Sequence, residues 1–180
     1  PWSDGSKNAL EEALQVSFSD DALLREALTH SSFRNESREV DWDNERLEFL
    51  GDAVIGVVGS ELLWAAFPEE TEGVLSRFRS ELVSEAALTQ RARELELGRF
   101  LALGKGEEQS NGREKPSILA SAYEALLAAV YLEVGMEAAK AVIERAMNGP
   151  IGALSAPQRT DYKTQVQEAV SYTHLRAHET

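Results

Sequence analysis

The sequence lacks cysteine entirely, and it has only three histidines among its 180 residues. Without cysteine there can be no disulfide and no thiolate metal site, so a metal ion would have to be held by oxygen ligands or by imidazole. A run of about eighteen apolar residues and a basic, then apolar, N-terminal segment are also missing. We therefore predict neither a membrane span nor a secretion signal, and we expect a cytoplasmic location.

Positive charge is scarce as well, because 18 Lys and Arg residues stand against 31 Asp and Glu residues, for a net charge of −13. This sign opposes the binding of phosphates by bulk electrostatics, so composition by itself argues against a nucleic-acid partner. If RNA is the substrate, local basic residues, bound cations or another domain must overcome the repulsion.

Apolar residues recur at helical spacing almost throughout, and no sustained alternation indicates strands, so the predicted fold class is all-α. The predicted helices cover approximately residues 8–15, 20–29, 44–67, 73–95, 116–132 and 137–147. The long helix that Pro68 ends is apolar nearly all round and should be central. Residues 98–112 are rich in glycine and predict a loop with one turn of helix.

Composition also divides the chain into segments. Residues 148–160 contain two glycines, two prolines and small residues, which predicts a linker after a first domain over residues 1–147. Residues 161–170 form a short amphipathic pattern. The last ten residues, 171–180, continue neither that pattern nor a second core, and we interpret them as a non-native tail.

Four acids are set in apolar surroundings. Glu45, Glu48 and Asp52 are three and four residues apart, so they share one face of the long helix, and Glu124 lies in the second apolar helix. A lone buried carboxylate costs several kcal/mol or more, so such a group protonates, pairs with a base or binds a cation. If the two helices pack side by side, Glu48, Asp52 and Glu124 are placed to hold Mg²⁺, which prefers oxygen ligands.

The same acids allow two other interpretations. Acids at this spacing are commonly a solvated face or partners for bases such as Arg46, which would fit a helical interaction protein. A calcium-binding loop around Asp41, Asp43 and Glu45 is excluded, because Arg46 stands where the loop requires glycine.

Residues 44–54, NERLEFLGDAV, resemble the signature of the ribonuclease III family. Supporting matches are ALTHSS at 27–32, Glu72-Gly73 with Leu75-Ser76, EAL at 124–126 and AVYL at 129–132. The resemblance covers about residues 8–147 and implies the helical bundle of the family's catalytic domain. Residues 161–168, DYKTQVQE, are similar to the opening helix of the double-stranded RNA-binding domain that follows it, which predicts a truncated start of that domain at 161–170.

The resemblance implies a metal-dependent endonuclease that hydrolyses double-stranded RNA to 5′-phosphate and 3′-hydroxyl ends in rRNA and mRNA processing. It also implies a homodimer that uses Mg²⁺, with Mn²⁺ as a substitute. By position in the motifs, the metal ligands are Glu48, Asp52, Ser121 and Glu124, and the catalytic acids are Asp52, Glu124, Glu45 and Glu72.

Ser121 departs from the family, which commonly has Asp there. Its neutral hydroxyl can contact a metal only weakly or hold a coordinated water, so we expect altered metal binding with activity retained. The alternative is an impaired nuclease-like domain that binds or scaffolds RNA. Phe49 resembles the family's dimer contact, although core packing would explain it equally well, and we interpret His30 as structural.

Overall fold

The computed structural model describes residues 4–19, 21–37 and 40–154, which form nine α-helices and no β-strand. The first five are α1 (Asp4–Leu14), α2 (Ala22–Ala27), α3 (Ser31–Glu36), α4 (Glu45–Ala66) and α5 (Glu72–Leu82). The others are α6 (Glu85–Glu94), α7 (Lys105–Gln109), α8 (Pro116–Val134) and α9 (Met136–Leu154). Two 3₁₀ turns, Leu97–Phe100 and Gly112–Glu114, flank α7. The predicted all-α class is confirmed.

The core is organised around α4 and α8, which pack along each other. Every residue of α8 from Ile118 to Val130 is buried except Ser121 and Glu124, which are partly buried. Pro116 stands at the start of this helix, where its missing N–H costs nothing, and Gly135 ends it with a φ of 102°. The two polar positions are three residues apart and therefore lie on one face of a helix that is otherwise apolar.

By length and hydropathy alone, α4 and α8 would both be able to cross a membrane. Their packing within one core accounts for the same apolar character, because a helix that is apolar on most sides is expected at the centre of a globular domain.

The backbones of α4 and α8 come into contact at Gly51. A β-carbon placed on Gly51 would lie 1.9 Å from the carbonyl oxygen of Glu124 and 2.4 Å from its carbonyl carbon. No side chain fits in that space, so the two helix backbones touch here. This contact fixes Glu124 between the positions of Glu48 and Asp52 along α4.

The N-terminus of α4 is fixed by the short helix α3. Arg34 of α3 pairs with the buried carboxylate of Asp43 at 2.6 Å, and Asp43 in turn accepts a hydrogen bond from the backbone N–H of Glu45 at 3.1 Å. In the same last turn of α3, the Glu36 carboxylate accepts from the backbone N–H of Lys105 at 2.7 Å and connects α3 to α7. The first turn of α4 is therefore held in place through side chains of the preceding loop and α3.

Several sequence-based boundaries were wrong: α1 begins at Asp4 and not near residue 8, and α3 was not predicted. The predicted helix over 73–95 is divided into α5 and α6, because the Ser84 hydroxyl accepts from the N–H of Ala87 and caps a new helix. The predicted last helix, 137–147, continues as α9 to Leu154, so residues 148–154 are helical rather than linker. Ile151 and Leu154 pack against the core, which offsets the cost of Pro150 inside the helix. The remaining linker and the segments at 161–170 and 171–180 lie outside the described residues.

The contact at Gly51 predicts that Gly51→Ala destabilises the domain, because the new methyl group would force α4 and α8 apart. We expect a loss of about 3 kcal/mol in the free energy of unfolding, measured by urea denaturation. Gly56→Ala is the matched control in the same helix, since a β-carbon there meets nothing within 4 Å. It should stabilise the protein by about 1 kcal/mol through helix propensity. Equal effects of the two substitutions would contradict the close packing.

Candidate active site

Three of the acids identified in the sequence lie around the contact between α4 and α8. Glu48 is partly buried and Asp52 is exposed on α4, where they flank Gly51, while Glu124 is partly buried on α8. The long-range placement of Glu124 beside Glu48 and Asp52 comes from the glycine contact and not from sequence proximity.

The electrostatics of Glu124 show that the three carboxyl groups interact. Burial, followed by the negative charges of Asp52 and Glu48, raises the pKa of Glu124 from its ordinary value of 4.5 to about 7. Because the pKa of Glu124 is raised, ionisation of its carboxyl group lowers the stability of the folded chain. A nearby cation would relieve that cost.

The described residues contain no group of three Asp, Glu or His side chains that already stands close enough together to hold a metal ion. The donors nevertheless fit a hard divalent cation in kind, because all three are carboxylates and the charges of Asp52 and Glu48 both act on Glu124 across the contact between the helices. The Gly51 contact fixes the backbones of the two helices that carry them.

Ser121 lies one turn before Glu124 on α8 and is partly buried, so it belongs to the same polar face. Its hydroxyl offers a neutral oxygen where a carboxylate would add another negative charge. The site therefore holds less negative charge than one with Asp at this position.

Glu45 and Glu72 are exposed, and neither is among the charges that raise the pKa of Glu124. Glu45 opens α4 next to the Asp43 cap, whereas Glu72 opens α5 and accepts a hydrogen bond from the Ser76 hydroxyl at 2.7 Å. The structure thus brings together Glu48, Asp52 and Glu124, with Glu45 and Glu72 at two helix N-termini outside that group.

Phe49 points outwards from α4 with 82% of its surface exposed, so its interpretation as core packing is wrong. Val57 and Trp64, eight and fifteen residues further along the helix, are 60% and 74% exposed. These spacings put all three on one side of α4 and form an exposed apolar stripe. A stripe of this kind in a monomer marks a surface that another molecule covers.

His30 caps α3, since its Nδ1 accepts a hydrogen bond from the backbone N–H of Ser32. Its place at a helix end agrees with the structural role predicted for it. Sequence reasoning gave no role to Gly51 or to the Asp43–Arg34 pair. For Gly51, the available signal was a glycine within an apolar helix. Nothing in the local sequence indicates the Asp43–Arg34 pair.

The chain is similar to known proteins over most of its length. Residues 20–151 match the family model described as Ribonuclease-III-like. The chain is 49% identical over 162 residues to Ribonuclease 3 of Caldanaerobacter subterraneus subsp. tengcongensis, which covers 89% of this chain and 71% of that protein.

Among solved structures, the nuclease domain of ribonuclease III from Campylobacter jejuni superposes with a TM-score of 0.73 at 43% identity, covering 78% of this chain and 95% of that one. That domain shows structural flexibility in a region involved in dimer formation. Dicer from Pichia stipitis is more distant, with a TM-score of 0.58 at 25% identity over 77% of this chain and 59% of that one.

The raised pKa of Glu124 predicts a pH-dependent gain in stability for Glu124→Gln, measured by thermal melting in EDTA. Below pH 4.5 the carboxyl is protonated in both states and contributes no penalty. As pH rises from 4.5 to about 7, the unfolded chain releases this proton while the folded chain retains it, so wild-type stability is lost over this window. After allowance for partial exposure, the variant should gain about 1–2 kcal/mol at pH 8 and little at pH 4.

The control for this comparison is Glu137→Gln, a substitution of an exposed acid at the start of α9. Its melting temperature should follow that of the wild type at every pH. If the melting temperatures of Glu124→Gln and Glu137→Gln depend on pH in the same way, ionisation of Glu124 does not destabilise the folded protein.

Proposed function

The chain belongs to the ribonuclease III family and is an endoribonuclease, and on that premise we propose that it cleaves double-stranded RNA with a divalent cation bound at Glu48, Asp52 and Glu124. The observation that carries the proposal is the position of the half-buried Glu124 carboxyl group, which the Gly51 contact places where the charges of Asp52 and Glu48 act on it. Mg²⁺ is the cation that this oxygen donor set suits best, and Mn²⁺ would substitute for it.

When bound, the cation would polarise the scissile phosphate and lower the pKa of an attacking water. The chain supplies the ligands and their arrangement. Glu124, with a pKa of about 7, must give up its proton before it can act as a ligand, so cation affinity should rise as pH increases through neutrality. Ser121 contributes a neutral oxygen one turn away and can hold a coordinated water.

We propose that Glu45 and Glu72 are catalytic acids that lie outside the group of Glu48, Asp52 and Glu124. Asp43 accepts from the N–H of Glu45, and its own charge is compensated by Arg34, so the first turn of α4 is ordered without a further unpaired acid. In this proposal Glu45 and Glu72 orient water and substrate and do not bind the cation directly. Their position at helix N-termini is favourable for a negative charge.

The net charge of −13 requires that part of the repulsion between protein and RNA be removed locally. A divalent cation among the three carboxylates does this at the point where the phosphate must approach. We propose that the products carry 5′ phosphates and 3′ hydroxyls, and that the substrates are ribosomal and messenger RNA precursors in the cytoplasm.

We also propose that the protein is a homodimer through the exposed stripe of Phe49, Val57 and Trp64. The stripe lies on the helix that carries Glu48 and Asp52, so a second copy there would place two sets of acids near one RNA duplex. The related nuclease domain from Campylobacter jejuni, which has a region involved in dimer formation, supports a second copy as the occupant.

The proposed activity is tested by cleavage of a long double-stranded RNA. We expect cutting with Mg²⁺ or Mn²⁺ and none in EDTA. Glu124→Gln and Asp52→Asn should each lower the rate at least about a hundredfold, because each removes a charged ligand of the cation. Glu137→Gln, which removes an exposed acid outside the site, should leave the rate unchanged.

Two outcomes would count against an active nuclease. If the wild type does not cut and still binds the duplex in a mobility-shift assay, the chain is a nuclease-like RNA scaffold, a role that the neutral Ser121 favours. If Mg²⁺ and Mn²⁺ also fail to raise the melting temperature of the wild type, its carboxylates bind no cation, as expected of a helical interaction protein.

The proposed dimer predicts that Phe49→Glu yields a monomer in sedimentation equilibrium at micromolar concentration, because a charge in an apolar interface is left unpaired on association. Leu132→Glu is the matched control, since Leu132 is an exposed leucine on α8, outside the stripe. It should remain dimeric. A dimer in both variants would place the interface elsewhere.

A further inference from the structure

Three buried polar residues, Thr29, Asp43 and Asn44, lie together at the start of α4. The backbone N–H of Asn44 donates to the carbonyl oxygen of Thr29 at 2.9 Å, and the carbonyl oxygen of Asn44 accepts from the backbone N–H of Glu48 at 2.8 Å. Burial of polar groups costs free energy unless they are hydrogen-bonded. The pairing within this cluster therefore shows which of its groups the fold satisfies and which it does not.

The side-chain amide of Asn44 is the group that lacks a partner. Only 2% of Asn44 is exposed, and its Nδ2 has no hydrogen-bond acceptor in the part of the chain that the structure describes. By contrast, the Asp43 carboxylate pairs with Arg34 and accepts from the N–H of Glu45, and the Thr29 hydroxyl donates to a backbone carbonyl at 2.7 Å. Buried polar groups normally have a partner, so this donor indicates an acceptor that reaches it in another state of the protein.

The helix geometry favours Glu48 as that acceptor. Asn44 already has helical backbone angles, with φ of −83° and ψ of −6°, so the side chains of Asn44 and Glu48, four residues apart, share one face of α4. Gly51, which contacts the backbone of α8, continues this face three residues later. Because Asn44 is buried, an acceptor in solution or on RNA has little access to it, whereas the partly buried Glu48 is one helical turn away.

We propose that Asn44 is a positioning residue for the cation site, and that its amide donates to the Glu48 carboxylate when that carboxylate binds the cation. This inference rests on the proposed function, because Glu48 is one of the proposed ligands. A neutral donor suits the role, since it orients a carboxylate and leaves the full negative charge for the cation. The backbone hydrogen bonds to Thr29 and Glu48 hold Asn44 in place before the cation arrives.

The proposal is tested by isothermal titration calorimetry of the full chain with Mn²⁺ at pH 8, where Glu124 has released its proton. Asn44→Leu nearly keeps the side-chain volume and removes the amide, and Asn44→Ala removes the amide without a new branched side chain. Each should weaken Mn²⁺ binding about tenfold, because a partner that orients a metal ligand is lost. In EDTA, Asn44→Leu should melt no lower than the wild type, because the amide has no partner to lose there.

A double-mutant cycle assigns the effect to Glu48. In a Glu48→Gln background, titrated to millimolar Mn²⁺, Asn44→Leu should weaken the remaining binding by less than about twofold, because the carboxylate that the amide orients is already gone. Asn35→Leu is the matched control, since Asn35 is an exposed asparagine on α3. It should bind Mn²⁺ like the wild type in both backgrounds.

Two results would overturn the role of Asn44 and leave the proposed function intact. One is Mn²⁺ affinity that is unchanged in both Asn44→Leu and Asn44→Ala. The other is a loss of affinity as large in the Glu48→Gln background as in the wild type, which would show that Asn44 does not act through Glu48. Absence of Mn²⁺ binding to the wild type would overturn the cation site itself, and this inference with it.

Discussion

The contact between the backbones of Gly51 and Glu124 is the constraint on which the rest of the domain depends. It allows two long apolar helices to pack without side chains between them at that point, and the core forms around their crossing. The same contact places a half-buried carboxyl group of α8 beside two acids of α4. Close packing and the concentration of negative charge are therefore consequences of one missing side chain.

This arrangement explains how an acidic chain can be an endoribonuclease. The acids that oppose RNA by bulk charge include Glu124, whose ionisation is disfavoured by burial and by two neighbouring acids, and a cation bound there would reduce both penalties. Arg34 meanwhile neutralises Asp43, so the helix N-terminus that carries Glu45 and Glu48 is capped without adding a further unpaired charge to the group.

Some helices were predicted from the sequence more accurately than others, and the reasons are physical. The apolar periodicity of α4 and α8, Pro68, Pro116 and Gly135 predicted the two central helices closely, because these signals are local. The break between α5 and α6 was missed because a serine cap interrupts a pattern that stays helical on both sides. The extension of α9 through Pro150 was missed because contacts of Ile151 and Leu154 with the core override the composition of the segment.

The sequence by itself determined the all-α class, the acids on each central helix and the family to which the motifs belong, because helical periodicity and motif spacing are properties of neighbouring residues. Only the tertiary structure decided that the charges of Glu48 and Asp52 act on Glu124 and that Phe49 is exposed. These facts depend on which helix faces meet. That choice is made by contacts such as Gly51 with Glu124, between residues far apart in the chain.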